Sequence, residues 1–209
     1  MSTRGPRGPY AKSAARRQLI LEAALAAYAE AGSRGVSVRD IAERVGLTDA
    51  GVLHHFGGRE ALLTAVLEAR DVVAAQKFGE EAALWHAEML TENAGTPGLV
   101  KLFVDLSAAA AEPGHPAHEF FTERYQVLRR RYANAFAAGR PADQPSAAPG
   151  AAADPDWAAR VLIAATDGLQ QQWLLDPSID MAGDIARLRD VLLEALERSA
   201  AAPREQPTG

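Results

Sequence analysis

The chain has 209 residues, of which 48% are hydrophobic and none is cysteine. This composition supplies a sizeable core and excludes structural disulfides, thiol catalysis and cysteine-ligated metal sites. The N-terminus lacks the apolar segment of a signal peptide, and no run approaches the roughly 18 apolar residues of a membrane span, so we expect a cytoplasmic protein.

Charge is distributed unevenly along the chain, although the net charge is only −5. Residues 1–70 carry ten Lys and Arg against seven Asp and Glu, whereas residues 71–209 carry twelve against twenty. This asymmetry fits a nucleic-acid-binding head on an acidic body, and a solvated basic tail is the alternative. Five basic residues precede the first acidic residue, Glu22: Arg4, Arg7, Lys12, Arg16 and Arg17.

The first helix is expected from Ser13 to Ala31, after a disordered basic arm over residues 1–11. Its buried face should carry apolar residues at helical spacing, and Gly32 should end it. The residues expected on that face are Ile20, Ala23, Ala27 and Ala31.

Residues 36–63 contain the pattern that is most informative about function. Ser37 can cap a second helix, and Asp40 follows three residues later as in a capping box. Four apolar residues then fall on one helical face, and they are Val38, Ile41, Ala42 and Val45.

A glycine and a new cap follow that second helix. Gly46 breaks it, and a glycine in a short turn is typical of a helix-turn-helix. Thr48 can cap the third helix, which ends before Gly57-Gly58 and is only about two turns long, too short to fold alone. We therefore expect packing to hold this helix from one side and leave the other side available for binding.

The rest of the chain also follows helical periodicity, interrupted by segments rich in Pro and Gly. A fourth helix should start near Gly58, and residues 78–95 are helical in pattern with a break near Asn93. Further helices are expected over residues 97–111, 117–138, 156–175 and 182–200, with a mobile loop over 139–155 and a disordered tail over 201–209.

Many residues between Arg17 and Leu63 match one family pattern at fixed spacing. They are Arg17, Ile20, Leu21, Ala23, Ala24, Gly32, Val36–Val38, Asp40–Ala42, Gly46–Thr48, His55, Phe56 and Arg59–Leu63. In these positions the chain resembles the N-terminal domain of TetR-family transcriptional regulators. The segment Asp167–Leu175 also resembles the penultimate helix of many members.

The resemblance implies an all-α fold, with an N-terminal three-helix helix-turn-helix domain over residues 12–60. A larger helical effector-binding and dimerisation domain would occupy residues 61–200. It also implies a homodimer that binds double-stranded DNA, represses transcription and is released by a small-molecule effector. The alternatives are a transcriptional activator, or a helical small-molecule-binding or catalytic protein whose helix-turn-helix is incidental.

A helix-turn-helix places the N-terminal residues of its second helix in the major groove, and here these are Thr48, Asp49, Ala50 and Gly51. The small Ala50 and Gly51 let the backbone approach the groove, and Ala50 can touch a thymine methyl group. Asp49 can accept from a cytosine amino group, or it can stabilise the first turn through the helix dipole.

Phosphate contacts need hydrogen-bond donors around that helix. An Arg beside a helix N-terminus, such as Arg59, is a natural phosphate site. The other candidate donors are Arg39, Thr48 and His54, with Arg4, Arg7, Lys12 and Arg16 from the N-terminal arm.

The chain departs from the family pattern around the end of the third helix. Leu53 stands where a Tyr is common, so a phosphate contact is lost unless His54 supplies it. Gly57 and Gly58 replace a common Pro and Ser, which should make the turn more flexible. Arg59 stands where Lys is more common and keeps the charge. We interpret His55 and Phe56, which match the pattern, as structural.

The body carries no catalytic motif, and no catalytic residue, metal or cofactor is predicted. His54 and His55 are neighbours on a helix and point about 100° apart, so they do not readily share one ion. His115 and His118 are spaced by three, but the Pro and Gly around them place His115 in a loop.

Two further sets of residues are assigned in the body. An effector cavity of roughly 300 Å³ or more would be lined by Trp85, Met89, Phe103, Phe121, Tyr125, Asp167 and Gln171. The alternatives are ordinary core packing for the aromatic residues, and a polar dimer seam or a solvated face for Asp167 and Gln171. A four-helix dimer interface would use Ala164, Gly168, Ile185, Leu188, Leu192 and Leu196. The alternative for the second set is the core of a single chain.

Overall fold

The computed structural model describes residues 9–32, 35–78, 87–139 and 154–201. Within these ranges every regular element is an α-helix, which confirms the predicted all-α class. The helices are α1 (Pro9–Glu30), α2 (Val38–Val45), α3 (Asp49–Phe56), α4 (Arg59–Phe78), α5 (Ala87–Ala94), α6 (Pro97–Ala109), α7 (His118–Ala138), α8 (Pro155–Leu175) and α9 (Met181–Ala201). None of these helices is long and apolar enough to span a bilayer.

The start of α2 is fixed by the capping box that the sequence predicts. The Asp40 backbone N–H donates to Ser37 Oγ at 3.1 Å, and the Ser37 backbone N–H donates to Asp40 Oδ2 at 2.8 Å. The Ser37 hydroxyl also donates to Asp40 Oδ2, at 2.7 Å, and together with the Ser37 backbone N–H it holds the pKa of the Asp40 carboxyl below its usual range. Gly46 ends the helix in the left-handed conformation, at φ 65°.

Two consecutive glycines form the junction between α3 and α4. Gly57 has φ 84° and Gly58 has φ 148°, both in the positive-φ region that residues other than glycine rarely adopt. Proline, which is common at the first of these positions in the family that the sequence resembles, could not adopt this backbone because it fixes φ near about −65°. The turn is therefore set by glycine conformation.

The first three helices enclose a small apolar core. Ile20, Ala24, Ile41 and Val52 are 0–1% exposed. The buried face of α1 differs in part from the predicted one, because Ala24 and Tyr28 are buried whereas Ala23 and Ala31 are only half-buried. The many alanines of this helix make its apolar face ambiguous by spacing alone.

Several expected boundaries need correction. Residues 9–11, assigned to a disordered arm, form the first turn of α1, and Ala201, assigned to the tail, ends α9. The helix expected over 97–111 stops at Ala109. The remainder of the expected arm, most of the loop over 139–155 and residues 202–209 lie outside the described residues.

The chain divides into two compact units. The first comprises residues 1–77 and 92–121, and the second comprises residues 78–91 and 122–209. In the second unit α8 packs on α9. Its core contains Tyr132, Phe136, Leu162, Leu192 and Leu196.

Within the first unit, the N-terminus of α6 touches the C-terminal end of α1. A Cβ atom on Gly98 would lie 2.4 Å from the Tyr28 carbonyl oxygen and 2.8 Å from the Gly32 carbonyl oxygen. Those contacts are with backbone, which cannot move aside as a side chain can. Glycine is therefore required at position 98 for the two helices to approach this closely.

We expect Gly98→Ala to destabilise the chain by about 1–3 kcal/mol, as overpacking a tight contact does. Thermal unfolding would measure the loss as a lower Tm. Gly35→Ala is the matched control, since no atom of the residues that the structure describes lies within 4 Å of a Cβ there and its φ is not positive. A Gly98→Ala protein as stable as the control would contradict the contact.

Candidate nucleic-acid interface

The N-terminal end of α3 is presented to solvent by its cap. The Gly51 backbone N–H donates to Thr48 Oγ1 at 3.1 Å, which satisfies one of the free N–H groups of the first turn. Thr48, Asp49 and Ala50 are exposed. A Cβ on Gly51 would lie 3.2 Å from Thr48 Oγ1, so a side chain there would crowd the cap.

The opposite side of α3 is held by the helices around it. Val52 is fully buried. The Arg17 guanidinium of α1 lies 4.1 Å from the centre of the Phe56 ring and donates to the His55 carbonyl oxygen. Arg17 thus fixes the C-terminal end of α3, and the arrangement agrees with a structural role for His55 and Phe56. The two partners are 38 residues apart in sequence, so no local signal identified this role of Arg17.

Two of the candidate phosphate donors form exposed ion pairs. Arg39 Nε lies 2.9 Å from Glu43 Oε1, and Arg59 Nη1 lies 2.8 Å from Glu60 Oε1. The hydrogen bond to Glu43 raises the pKa of Arg39, so this side chain stays charged. Exposed ion pairs are weak and screened by salt. A phosphate can therefore replace either carboxylate as the partner.

The remaining donors lie on the outer surface of the first unit. Lys12 and Arg16 are exposed on α1 and, four residues apart, share one face. His54 is exposed near the end of α3. Arg44 is differently placed, because both of its terminal nitrogens bind the Glu30 carboxylate, at 2.7 and 3.2 Å, and join α2 to α1.

His115 and His118 make separate contacts. His115 Nδ1 accepts from the Ala117 backbone N–H at 3.1 Å, and its Nε2 lies 3.5 Å from Glu60 Oε2. His118 Nδ1 lies 2.9 Å from the Ala110 carbonyl oxygen. Across the residues that the structure describes, no three His, Asp or Glu side chains form a group that could hold a metal ion.

The expected effector residues fall in different places. The buried rings of Phe103 and Phe121 pack 5.4 Å apart in the first unit. In the second unit the Tyr125 hydroxyl donates to Asp167 Oδ2 at 2.7 Å, and burial together with this carboxylate raises the pKa of Tyr125. Gln171 is exposed. Trp85 and the side chain of Met89 lie outside the described residues.

The expected dimer residues divide by exposure. Leu192 and Leu196 are 2% and 1% exposed and belong to the core of the second unit itself. Ile185 and Leu188 are partly buried against that core. Ala164 is exposed and Gly168 half-buried on α8. Leu192 and Leu196 therefore pack in the core of their own chain, which is the alternative to a dimer contact for these two residues.

Comparison with known proteins connects this geometry to a family. Residues 20–66 match the model of bacterial regulatory proteins of the tetR family. The HTH-type transcriptional repressor AcnR of Corynebacterium diphtheriae is 32% identical over 115 residues, which are 54% of this chain and 49% of that protein. The chain thus aligns with about half the length of this curated relative.

Solved structures share the fold over most of the chain. NalD of Pseudomonas aeruginosa, the secondary repressor of the MexAB-OprM multidrug efflux pump, has a TM-score of 0.56 at 21% identity, covering 88% of this chain and 97% of that one. FadR of Bacillus subtilis, solved in complex with stearoyl-CoA, has a TM-score of 0.59 at 16% identity, covering 85% and 98%.

The match to the family model spans α2 and α3, including the Thr48 cap, and reaches into α1 and α4. The solved structures extend the similarity of fold to the helical body. Through residues 20–66, the chain is therefore similar to the bacterial regulatory proteins of the tetR family.

Proposed function

We propose that this chain is a DNA-binding transcriptional regulator that acts as a repressor. One observation carries the proposal: the capped N-terminal end of α3 is exposed, while its opposite side is buried in the three-helix core. This is the arrangement in which a recognition helix enters a major groove. The relatives AcnR and NalD are described as repressors, which supports the sign of regulation.

The residues of this surface divide into two roles. Thr48, Asp49 and Ala50 lie at the exposed end of α3 and contact base edges. Arg59 is the first residue of α4, where a helix N-terminus and a guanidinium together favour a phosphate. Arg39, His54, Lys12 and Arg16 add positioning contacts with the DNA backbone.

We expect Arg59→Gln to weaken binding to all DNA sequences alike and to reduce the salt dependence of log K by about one unit of slope. Ala50→Gln introduces an amide at the groove and should instead change which base pair is preferred, by about 1–3 kcal/mol of discrimination. Binding titrations on a randomised operator library, repeated at several salt concentrations, separate the two effects. Equal shifts of preference in both variants would refute the division of roles.

The function itself is tested with the promoter DNA beside the gene for this chain. A salt-sensitive complex on that DNA, tighter than on unrelated DNA, supports a regulator. A protein that turns over a substrate but shows no such preference would belong to the alternative class, a helical catalytic protein with an incidental helix-turn-helix.

We further propose that two copies pair through α8 and α9. A palindromic operator requires two recognition helices about 34–36 Å apart, or a multiple of that distance. The candidate surface is the side of α8 that its own chain leaves uncovered, with Ala164, Gly168 and the 84% exposed Leu175. Ile185 and Leu188 of α9 complete it.

Gly168→Glu provides a sharp test of pairing. Among the described residues nothing lies within 4 Å of a Cβ at this position, and glutamate favours helix more than glycine. The substitution should therefore leave the single chain folded and block close approach of a second copy. Sedimentation should show a monomer for Gly168→Glu and a dimer for Gly114→Glu, a control at an open loop position. A dimer in both would exclude this surface.

We also propose that a hydrophobic or amphipathic effector binds the helical body and releases the DNA. The Tyr125–Asp167 pair supplies a polar contact in the second unit, and the neighbour FadR was solved with stearoyl-CoA. Anilinonaphthalene sulfonate is a suitable apolar probe, and we expect saturable fluorescence that falls when operator DNA is added. Fluorescence that never saturates, or that DNA leaves unchanged, would oppose this part of the proposal.

A further inference from the structure

The first unit contains a cleft between α1, α4 and α6 that the proposed DNA contacts and effector site do not explain. Its volume is about 160 Å³. An engineered cavity of about 150 Å³ is enough to bind benzene. The cleft can therefore hold a small organic molecule without any movement of the helices.

The floor of this cleft is apolar and firmly packed. Val36, Leu63, Leu102 and Leu106 line it and are 3–8% exposed. Such a surface suits a short hydrocarbon group, because it removes that group from water. The floor alone would not select one ligand over another.

The rim supplies selectivity through four charged side chains. α4 contributes Arg59 and Glu60, and α6 contributes Lys101 and Asp105. Each helix therefore brings one cation and one anion. Arg59 pairs with Glu60 at 2.8 Å and Lys101 with Asp105 at 2.8 Å, and all four side chains are 40–59% exposed. These pairs are accessible and exchangeable.

Tyr28 adds a polar group to the cleft. The residue is 4% exposed, and its hydroxyl makes no hydrogen bond to another described residue. Burial raises the pKa of Tyr28 to about 12, with Arg59 lowering it and Asp105 and Glu60 raising it. The hydroxyl thus lies within electrostatic reach of three of the rim charges.

We propose that this cleft binds a small zwitterion with an apolar side group, of the α-amino acid type. A ligand with one charge would be attracted by two rim residues and repelled by the other two. A zwitterion satisfies both signs: its carboxylate is bound by Arg59, Lys101 and the Tyr28 hydroxyl, and its ammonium by Glu60 and Asp105. The hydrocarbon group then covers the apolar floor.

Occupation of the cleft would also affect DNA binding, and this consequence rests on the proposed function. Arg59 is shared between the cleft and the proposed phosphate contact. A ligand carboxylate that binds the guanidinium competes with the phosphate for it. Binding of the zwitterion in the first unit therefore lowers the affinity of the chain for DNA.

Isothermal titration of the full chain without DNA tests the site, with L-leucine and L-alanine as probes. We expect saturable binding of L-leucine, and weaker binding of L-alanine because it covers less of the floor. N-acetyl-L-leucine lacks the ammonium and L-leucine amide lacks the carboxylate, and each should bind at least about tenfold more weakly than L-leucine, having lost a charged contact.

Two variants and one control assign the binding to this cleft. Tyr28→Phe removes a hydroxyl that makes no hydrogen bond to another described residue, so the fold should be kept, while L-leucine binds about tenfold more weakly. Lys101→Gln should have a similar effect. Lys77→Gln removes the lysine of another exposed ion pair, with Glu92, outside the cleft and should leave the affinity unchanged.

Three results would overturn the site. They are no saturable binding of either amino acid, equal affinity in Tyr28→Phe and the wild type, and equal affinity for L-leucine and its singly charged derivatives. A titration of operator DNA with and without L-leucine then tests the competition. If L-leucine binds but leaves the DNA affinity unchanged, only the proposed competition is refuted. If the chain binds no DNA, the proposed function is refuted, and the titration without DNA still tests the site.

Discussion

The packing of the first unit depends on the contact at Gly98, where two helix ends meet backbone to backbone. The first turn of α6 lies against the carbonyl oxygens that end α1, with no side chain between the two backbones. A helix N-terminus carries partial positive charge and a C-terminus partial negative charge, so the contact is also electrostatically favourable. Because the two backbones are in direct contact, no side chains lie between α6 and α1 here that could rearrange. Its position relative to α1 is therefore fixed within narrow limits.

The same helix α1 then determines where α3 lies. Arg17 covers the Phe56 ring and binds the last turn of α3, and Ile20 and Ala24 fill the core beside it. An eight-residue helix has little stability of its own, so these contacts hold its orientation. A chain of direct contacts therefore runs from α6 through α1 to the proposed recognition surface. The cleft with Tyr28 and Lys101 lies along this same chain of contacts.

The sequence predicts the features of this fold that depend on neighbouring residues. Ser37 with Asp40, Thr48, and Gly46 act within one helical turn, so the caps and the helix-turn-helix could be predicted correctly. The Arg17 contact with Phe56 and the approach of Gly98 to Tyr28 join distant positions, and no periodicity identifies them. The leucines of α9 show a further limit. Their spacing identified an apolar face, but only the packing shows that Leu192 and Leu196 are covered by their own chain.

The paired glycines between α3 and α4 also limit how the N-terminal helices of this chain can be exchanged with those of a related protein. Gly57 and Gly58 set the direction in which α4 leaves α3. A head with Pro and Ser at these positions would follow another backbone path and would direct α4 differently. A chimaera joined at this turn would thus combine an α3 and an α4 whose directions do not match. The useful junction for such a chimaera lies farther along α4, beyond the turn, so that the glycine pair stays with its own α3.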